Sequence, residues 1–109
     1  MADWTKEDID NYFDALRKED VARIVGMFAP DAALIDENNK TLQGGQIKEY
    51  YRNFLVNPVN CNMVSFNGRG NEVYAAYTYP KPASSDIVRA SARFFFSAGK
   101  ITKLILELF

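Results

Sequence analysis

Along the first half of the chain apolar residues recur at three- and four-residue intervals; along the second half they fall at every other position. Ile9, Tyr12, Phe13 and Leu16 stand at i, i+3, i+4 and i+7, the spacing of one helical face, while Asp10, Asp14, Arg17 and Lys18 take the wet side. Thr5 followed by Asp8 reads as a capping box with Asp in place of the usual Glu. A first amphipathic helix is therefore expected over about residues 5–18. After the charged link KED, the residues Val21, Ile24, Val25 and Phe28 repeat the pattern. Pro30 lacks the amide hydrogen a continuing helix needs, so this second helix is expected to stop just before it. The run Ala32-Ala33-Leu34-Ile35-Asp36 reads as a short strand, and the polar cluster ENNK as a turn. Gly44-Gly45 precedes a third helix with Ile47, Tyr50, Tyr51 and Phe54 on its buried face and Asn57-Pro58 at its end.

From Asn60 onward the period changes to two. Residues 61–67, 72–79, 87–96 and 101–109 read as four strands, with Gly68 and Gly70 marking the first turn and PKPASSD a longer one. Three helices followed by a run of antiparallel strands predict an α+β fold, a curved sheet wrapped around helices. The last hairpin admits two registers. A four-residue loop pairs Phe96 with Ile101 and sets Leu104, Leu106 and Leu108 on the face of Arg89 and Arg93. A three-residue loop, Ser97-Ala98-Gly99 with Gly99 left-handed, pairs Phe96 with Lys100 instead. Val88, Ala90, Ala92 and Phe94 then share a face with Thr102, Leu104, Leu106 and Leu108, and Arg89 lies opposite Glu107. A one-residue slip would scramble both faces, so the second register is expected. The outer face then mixes Arg89, Arg93, Lys103 and Glu107 with Ile105 and Phe95. That mixture suits either a two-fold dimer contact or a solvated face with cross-strand ion pairs.

At 109 residues, 48 % hydrophobic, the chain is read as a single domain (1–109) with one sizeable core. Thirteen basic and fourteen acidic residues give a net charge of -1, which argues against a sequence-blind grip on nucleic acid. No apolar segment approaches the roughly 20 residues that cross a bilayer, and the acidic opening MADWTKEDID does not read as a signal peptide. One cysteine, Cys61, leaves no internal disulfide and fits a reducing compartment, so a soluble cytoplasmic protein is expected. The absence of histidine removes the usual neutral-pH acid–base group and the commonest metal ligand. Chemistry must run on Asp, Glu, Tyr, Lys or Arg, and neither metal nor cofactor is expected.

Two residues stand out. Alternation along the first strand sets Asp36 on the face of Leu34. If that face is the core, an apolar setting disfavours the ionised carboxylate and raises its pKa into the range of a general base. Alternatively Asp36 simply begins the DENN turn, as Asx residues do. Tyr12 on the buried helical stripe either fills the core or aims its hydroxyl at a ligand oxygen on which negative charge develops. Tyr74, Tyr77 and Tyr79 are put down to strand propensity, Glu72 to a solvated turn, and Gly44-Gly45 to a helix start.

The segment NYFDALRKEDVARIVGMFAPDAALID resembles the opening of the ketosteroid isomerases, within the NTF2-like (SnoaL-like) superfamily. The likeness continues through GGQIKEYYRNFL and into the FFFSAGK hairpin, and the spacing of Tyr12 and Asp36 is its more specific part. It implies an NTF2-like/cystatin-like cone: three helices on a curved antiparallel sheet enclosing an apolar pocket. By this resemblance Asp36 carries a proton between two carbons of a steroid enol system, and Tyr12 donates to the enolate oxygen. Tyr51 matches a tyrosine supporting that network, Phe28 an aromatic lining the pocket, and Phe94 and Leu104 complete its inner wall. The isomerases have a second oxyanion donor, a protonated carboxylic acid, where this chain has Ala92. Losing one such donor costs on the order of a hundred- to a thousand-fold in rate. Three functions fit: a cofactor-free steroid-isomerase-like enzyme or related lyase or cyclase on a small apolar carbonyl compound; a carrier of small hydrophobic ligands; and a homodimeric NTF2-type interaction module working through the outer sheet face.

Overall fold

In a computed structural model, which describes residues 4–55, 61–80 and 86–108, Thr5 caps the first helix as its spacing predicts. Its Oγ1 accepts from the Asp8 amide, and the Asp8 carboxylate accepts from the Thr5 amide at 2.8 Å. The helix α1 spans Lys6–Arg17 and buries Ile9, Tyr12, Phe13, Ala15 and Leu16. Full burial of an Ile, Leu or Phe side chain contributes about 1.5–3 kcal/mol, so this one stripe outweighs any cap. The second helix, α2, is shorter than expected: Val21–Gly26, opened by Asp20, whose side chain accepts from the Arg23 amide.

The strand β1 begins at Phe28 and runs to Ile35, so Phe28 and Pro30 belong to a strand and not to a helix or its stop. The sheet captures the chain before the proline can end the helix. Ile101 donates its amide to the Met27 carbonyl at 2.9 Å, and the Lys100 ammonium donates to that of Gly26. Between Phe28, paired with Ile101, and Ala33, paired with Lys103, the register shifts. Pro30 sits in that irregular stretch, where a missing amide hydrogen costs no ladder bond. A short strand β2, Thr41–Gln43, follows the hairpin at residues 36–40; three residues are too few to display a period. The helix α3, Gly45–Phe54, buries Ile47 and Tyr51 and leaves Tyr50 and Phe54 half-buried. The expected helix stop at Asn57-Pro58 and the turn within PKPASSD lie largely outside the described residues.

The remaining strands are β3 (Asn62–Arg69), β4 (Glu72–Pro80), β5 (Ile87–Ser97) and β6 (Lys100–Leu108). They form a six-stranded sheet in the order β2-β1-β6-β5-β4-β3. It is mixed where an antiparallel sheet was expected, because β1 runs parallel to β6; the chain between them supplies the long crossover a parallel pair needs. The helices are interleaved with strands, α3 following β1 and β2. In the last hairpin neither simple register holds throughout. Phe96 pairs with Ile101 next to the turn, but a bulge at Thr102 moves the pairing so that Phe94 meets Leu104, Ala92 meets Leu106 and Ala90 meets Leu108. The turn itself is two residues, Ala98 and Gly99, both at positive φ, which matches the twist of the strands. The bulge restores the expected faces by a different route. It also corrects one pairing: Glu107 lies opposite Ser91, and Arg89 opposite Thr78 of β4. Leu108, on the inner face by alternation, lies at its rim and is exposed.

Candidate functional site

Tyr12 reaches the centre of the molecule from α1, and Tyr51 from α3. Their hydroxyls lie 2.6 Å apart in full burial. Two hydroxyls hold two protons and their mutual bond uses one, so the accepting partner keeps a proton for a third oxygen. Phe94 of β5 packs edge-on against Tyr12, and Phe28 of β1 leans on Tyr51. Leu104 is buried as the cross-strand partner of Phe94. Ala92 is equally buried, between Ala75 and Leu106, so its neighbours across both strands are alkyl and no second acid donor stands there.

Aromatic side chains continue outward from this pair in a closed circuit: Tyr12 to Phe13, Tyr77, Tyr79, Phe54, Tyr50, Tyr51 and back to Tyr12, with ring centres between 5.1 and 6.3 Å apart. Tyr77 and Tyr79 are thus part of the inner wall and not merely strand formers. Their alternation with Val73 and Ala75, both buried, is the signal that places them there. Burial above all pushes the phenols of Tyr12, Tyr51 and Tyr77 well above their ordinary 10.0; at Tyr51 the hydrogen bond with Tyr12 works against that rise, while other neighbouring phenols and the Glu37 carboxylate add a little to it. Tyr50 and Tyr79 are raised for the same leading reason, with the Glu37 charge next.

The two carboxylates after β1 part company. Asp36 Oδ1 accepts from the backbone amides of Asn38 and Lys40, each at 2.9 Å, the turn-capping arrangement of an Asx residue. It lines an open cleft of about 420 Å³ between the β1–β2 turn and α3, with Lys40, Gln46 and Glu49 among its neighbours. Tyr12 lines a different and more enclosed cavity of about 60 Å³, with Asp8, Asn11 and Phe96. Asp36 and Tyr12 therefore share neither of these hollows. Glu37, which sequence reasoning passed over, meets the circuit directly: both its carboxylate oxygens lie 2.8 Å from the Tyr50 hydroxyl. No period marks a residue in a turn, so only the hairpin geometry reveals it.

Cys61 is a free, fully buried thiol that burial pushes up to about 12, which makes it inert. Among the described residues no group of three or more Cys, Asp or Glu side chains comes together to hold a metal ion, and no helix is long and apolar enough to cross a membrane.

Known proteins with this architecture are numerous. A protein from Burkholderia thailandensis described as SnoaL-like superposes with a TM-score of 0.83 at 16 % identity, over 95 % of this chain and 93 % of its own. The epoxide hydrolase/cyclase-like enzyme SalBIII of salinomycin pyran ring formation gives 0.82 at 21 %, covering 95 % and 89 %. A candidate polyketide cyclase from Sinorhizobium meliloti gives 0.81 at 20 %, covering 93 % and 94 %. At these identities the likeness establishes the fold alone. No curated protein matches the sequence. A family profile described as a SnoaL-like domain, however, matches residues 9–104, nearly the whole chain. By that match and by the six-stranded sheet with its three helices, this chain belongs to the SnoaL-like domain family, within the NTF2-like superfamily.

Proposed function

We propose that the interior of this protein is an apolar chamber in which a small carbonyl compound undergoes cofactor-free proton transfer. The observation that carries the reading is the buried Tyr12–Tyr51 hydroxyl pair, which keeps one proton to donate. A donor of that kind, fixed in a low-dielectric setting, stabilises an oxyanion without reorganising during the reaction. The base is a carboxylate of the Asp36–Glu37 dipeptide, and Phe28, Phe94 and Leu104 give the chamber its apolar wall. Ala92 adds no donor, so the oxyanion rests on the tyrosines alone. Neighbours of the same fold include a cyclase-like enzyme and a candidate cyclase, which favours reactions of this class over a purely structural role.

The test follows the ultraviolet absorbance of the conjugated product formed from a 5-ene-3-ketosteroid. Tyr12→Phe is expected to lower the rate by about a hundredfold. Replacing both carboxylates, Asp36→Asn with Glu37→Gln, is expected to abolish it. A double variant as fast as the parent removes the reading.

A second reading concerns assembly. Val64 and Ile87 are each 67 % exposed, and Val64 borders an open groove of about 430 Å³ with Ala76, Thr78 and Arg89. We infer that two copies meet through this outer sheet face, in the cytoplasm. Sedimentation at micromolar concentration tests it: Arg89→Glu is expected to shift a dimer to monomer, and a parent chain that sediments as a monomer ends the reading.

A further inference from the structure

The enclosed hollow of about 60 Å³ beside Tyr12 has two unlike ends. Its inner wall is Tyr12, Phe94, Phe96 and Ile101, all buried. Tyr12 packs edge-on against Phe94 with ring centres 5.0 Å apart, and Phe94 stacks on Phe96 at 6.0 Å. The rim is formed by the half-buried Asp8 and Asn11 of α1 together with Gly99 of the β5–β6 turn. Asp8 is the one charged side chain among the described residues that line the hollow. The capping box fixes its carboxylate: Oδ2 accepts from the Thr5 amide at 2.8 Å, while the Asp8 amide donates to Thr5 Oγ1. A carboxylate has about four acceptor sites and the cap takes one, so Asp8 is held in place with most of its acceptor capacity left. The neighbouring cations are engaged elsewhere. Lys100, next in the chain to Gly99, donates its ammonium to the Gly26 carbonyl at 2.7 Å. Arg23 donates to Asn11 Oδ1 at 3.1 Å, but its charge is paired with Asp14 at 3.0 Å.

We propose that this hollow is a binding site for a short primary alkylammonium ion, with the ammonium on Asp8 and the alkyl chain against Phe94, Phe96 and Ile101. It is separate from the Asp36–Glu37 carboxylates, which line no part of it, and does not depend on the proton-transfer reading. Charge selects the class first: a carboxylate without a cation of its own attracts a cation and repels an anion. Hydrogen bonding narrows it. The three N–H groups of a primary ammonium match the remaining lone pairs of Asp8 and the second lone pair of Asn11 Oδ1, whose first is taken by Arg23. Such charge-assisted bonds are stronger beside an apolar wall than in water. Size sets the chain length. A hollow of about 60 Å³ accommodates roughly four water-sized groups, which is the three carbons and one nitrogen of propylammonium.

The test is a titration of the full chain with propylammonium chloride at constant ionic strength, followed through the backbone amide NMR signals of Asp8, Asn11 and Gly99. Saturable shifts with an affinity in the millimolar range are expected, as befits so few ligand atoms. Three ligand comparisons on the parent protein fix the chemistry. Shortening propylammonium to methylammonium should weaken binding about fourfold for each methylene withdrawn from the wall. Hexylammonium, too long for the hollow, should bind no better than methylammonium. 1-Propanol should bind at least about tenfold more weakly than propylammonium, and propionate should give no saturable shift. Asp8→Asn removes the charge but keeps an oxygen for the Thr5 amide, so the cap survives, and it should weaken propylammonium binding between about ten- and a hundredfold. The proposal is overturned if propylammonium gives no saturable shift at these amides by about 100 mM. It is equally overturned if 1-propanol or propionate binds as well as propylammonium, or if a folded Asp8→Asn protein binds propylammonium as tightly as the parent. Should Asp8→Asn fail to fold, the ligand comparisons on the parent decide alone.

Discussion

Two phenols sharing one bond in full burial depend on each other energetically. Tyr51→Phe leaves the Tyr12 hydroxyl without its partner, and stranding a buried hydroxyl costs about 1–3 kcal/mol. Removing both hydroxyls strands neither, so the double variant Tyr12→Phe/Tyr51→Phe is expected to unfold in urea closer to the parent than either single change. Non-additivity of that sign is the measurement; simple addition would show the hydroxyls to be independent. The raised phenols also set an alkaline limit. In the unfolded chain a tyrosine ionises near 10.0, whereas Tyr12, Tyr50, Tyr51, Tyr77 and Tyr79 hold their protons to higher pH when folded. A raised folded value contributes stability that is complete below the unfolded pKa and declines as pH rises past it. Stability should therefore fall above about pH 10, with phenolate absorbance appearing in step with unfolding. At this scale Tyr12 was legible from helical spacing alone. Asp36 was legible only as a choice between base and turn former, and its hydrogen bonds show the turn former's geometry. Glu37 was not legible, because the turn's backbone decides where its side chain goes.

Elements are joined at a few identifiable contacts. Trp4 lies against the end of β3: its indole donates to the Gly70 carbonyl at 2.8 Å, and a Cβ added at Gly68 would collide with its ring. Gly68 is thus a β3 residue that makes room for the indole, while the turn proper is Gly70-Asn71, with Gly70 at positive φ. Gly68→Ala must displace the ring and is expected to destabilise by about 1–3 kcal/mol. Trp4 is the chain's one tryptophan, so a red shift of its fluorescence reports the displacement directly. Between α1 and α2, Asp14 accepts from Arg23 at 3.0 Å and lies 3.1 Å from Lys18. The Arg23 hydrogen bond first, then that of Lys18, hold its carboxyl below the ordinary 3.8. A depressed folded value contributes stability above the unfolded pKa that is lost as pH falls through the folded one. Asp14→Asn should therefore flatten the acid limb of the stability curve below about pH 4 and leave neutral pH little changed, since exposed pairs contribute little. The cap of α1 was readable because Thr5 and Asp8 act within one turn. The end of α2 was not, because its rival was β6, some seventy residues away, and Ile101 claims the Met27 carbonyl.

For the whole molecule, alternation and helical spacing are local consequences of backbone geometry, and they determined the α+β class, the buried stripes of α1 and α3, and the inner faces of β4 to β6. Even the last hairpin kept its expected faces, because burying Ala90, Ala92, Phe94, Leu104 and Leu106 together outweighs the loop length that joins them. What no local rule contains is which distant elements meet. That β1 runs parallel to β6 depends on the crossover through α3 and the β3–β5 strands. That Tyr12 and Tyr51, 39 residues apart, share a hydrogen bond depends on two helices closing over one sheet. The choice between neighbouring acids is of the same kind. Sequence put two carboxylates at the end of β1; the hairpin turned one to its own amides and the other to Tyr50, since a side chain's partners are set by the direction of its Cα–Cβ bond, and that direction is fixed only once the chain has folded.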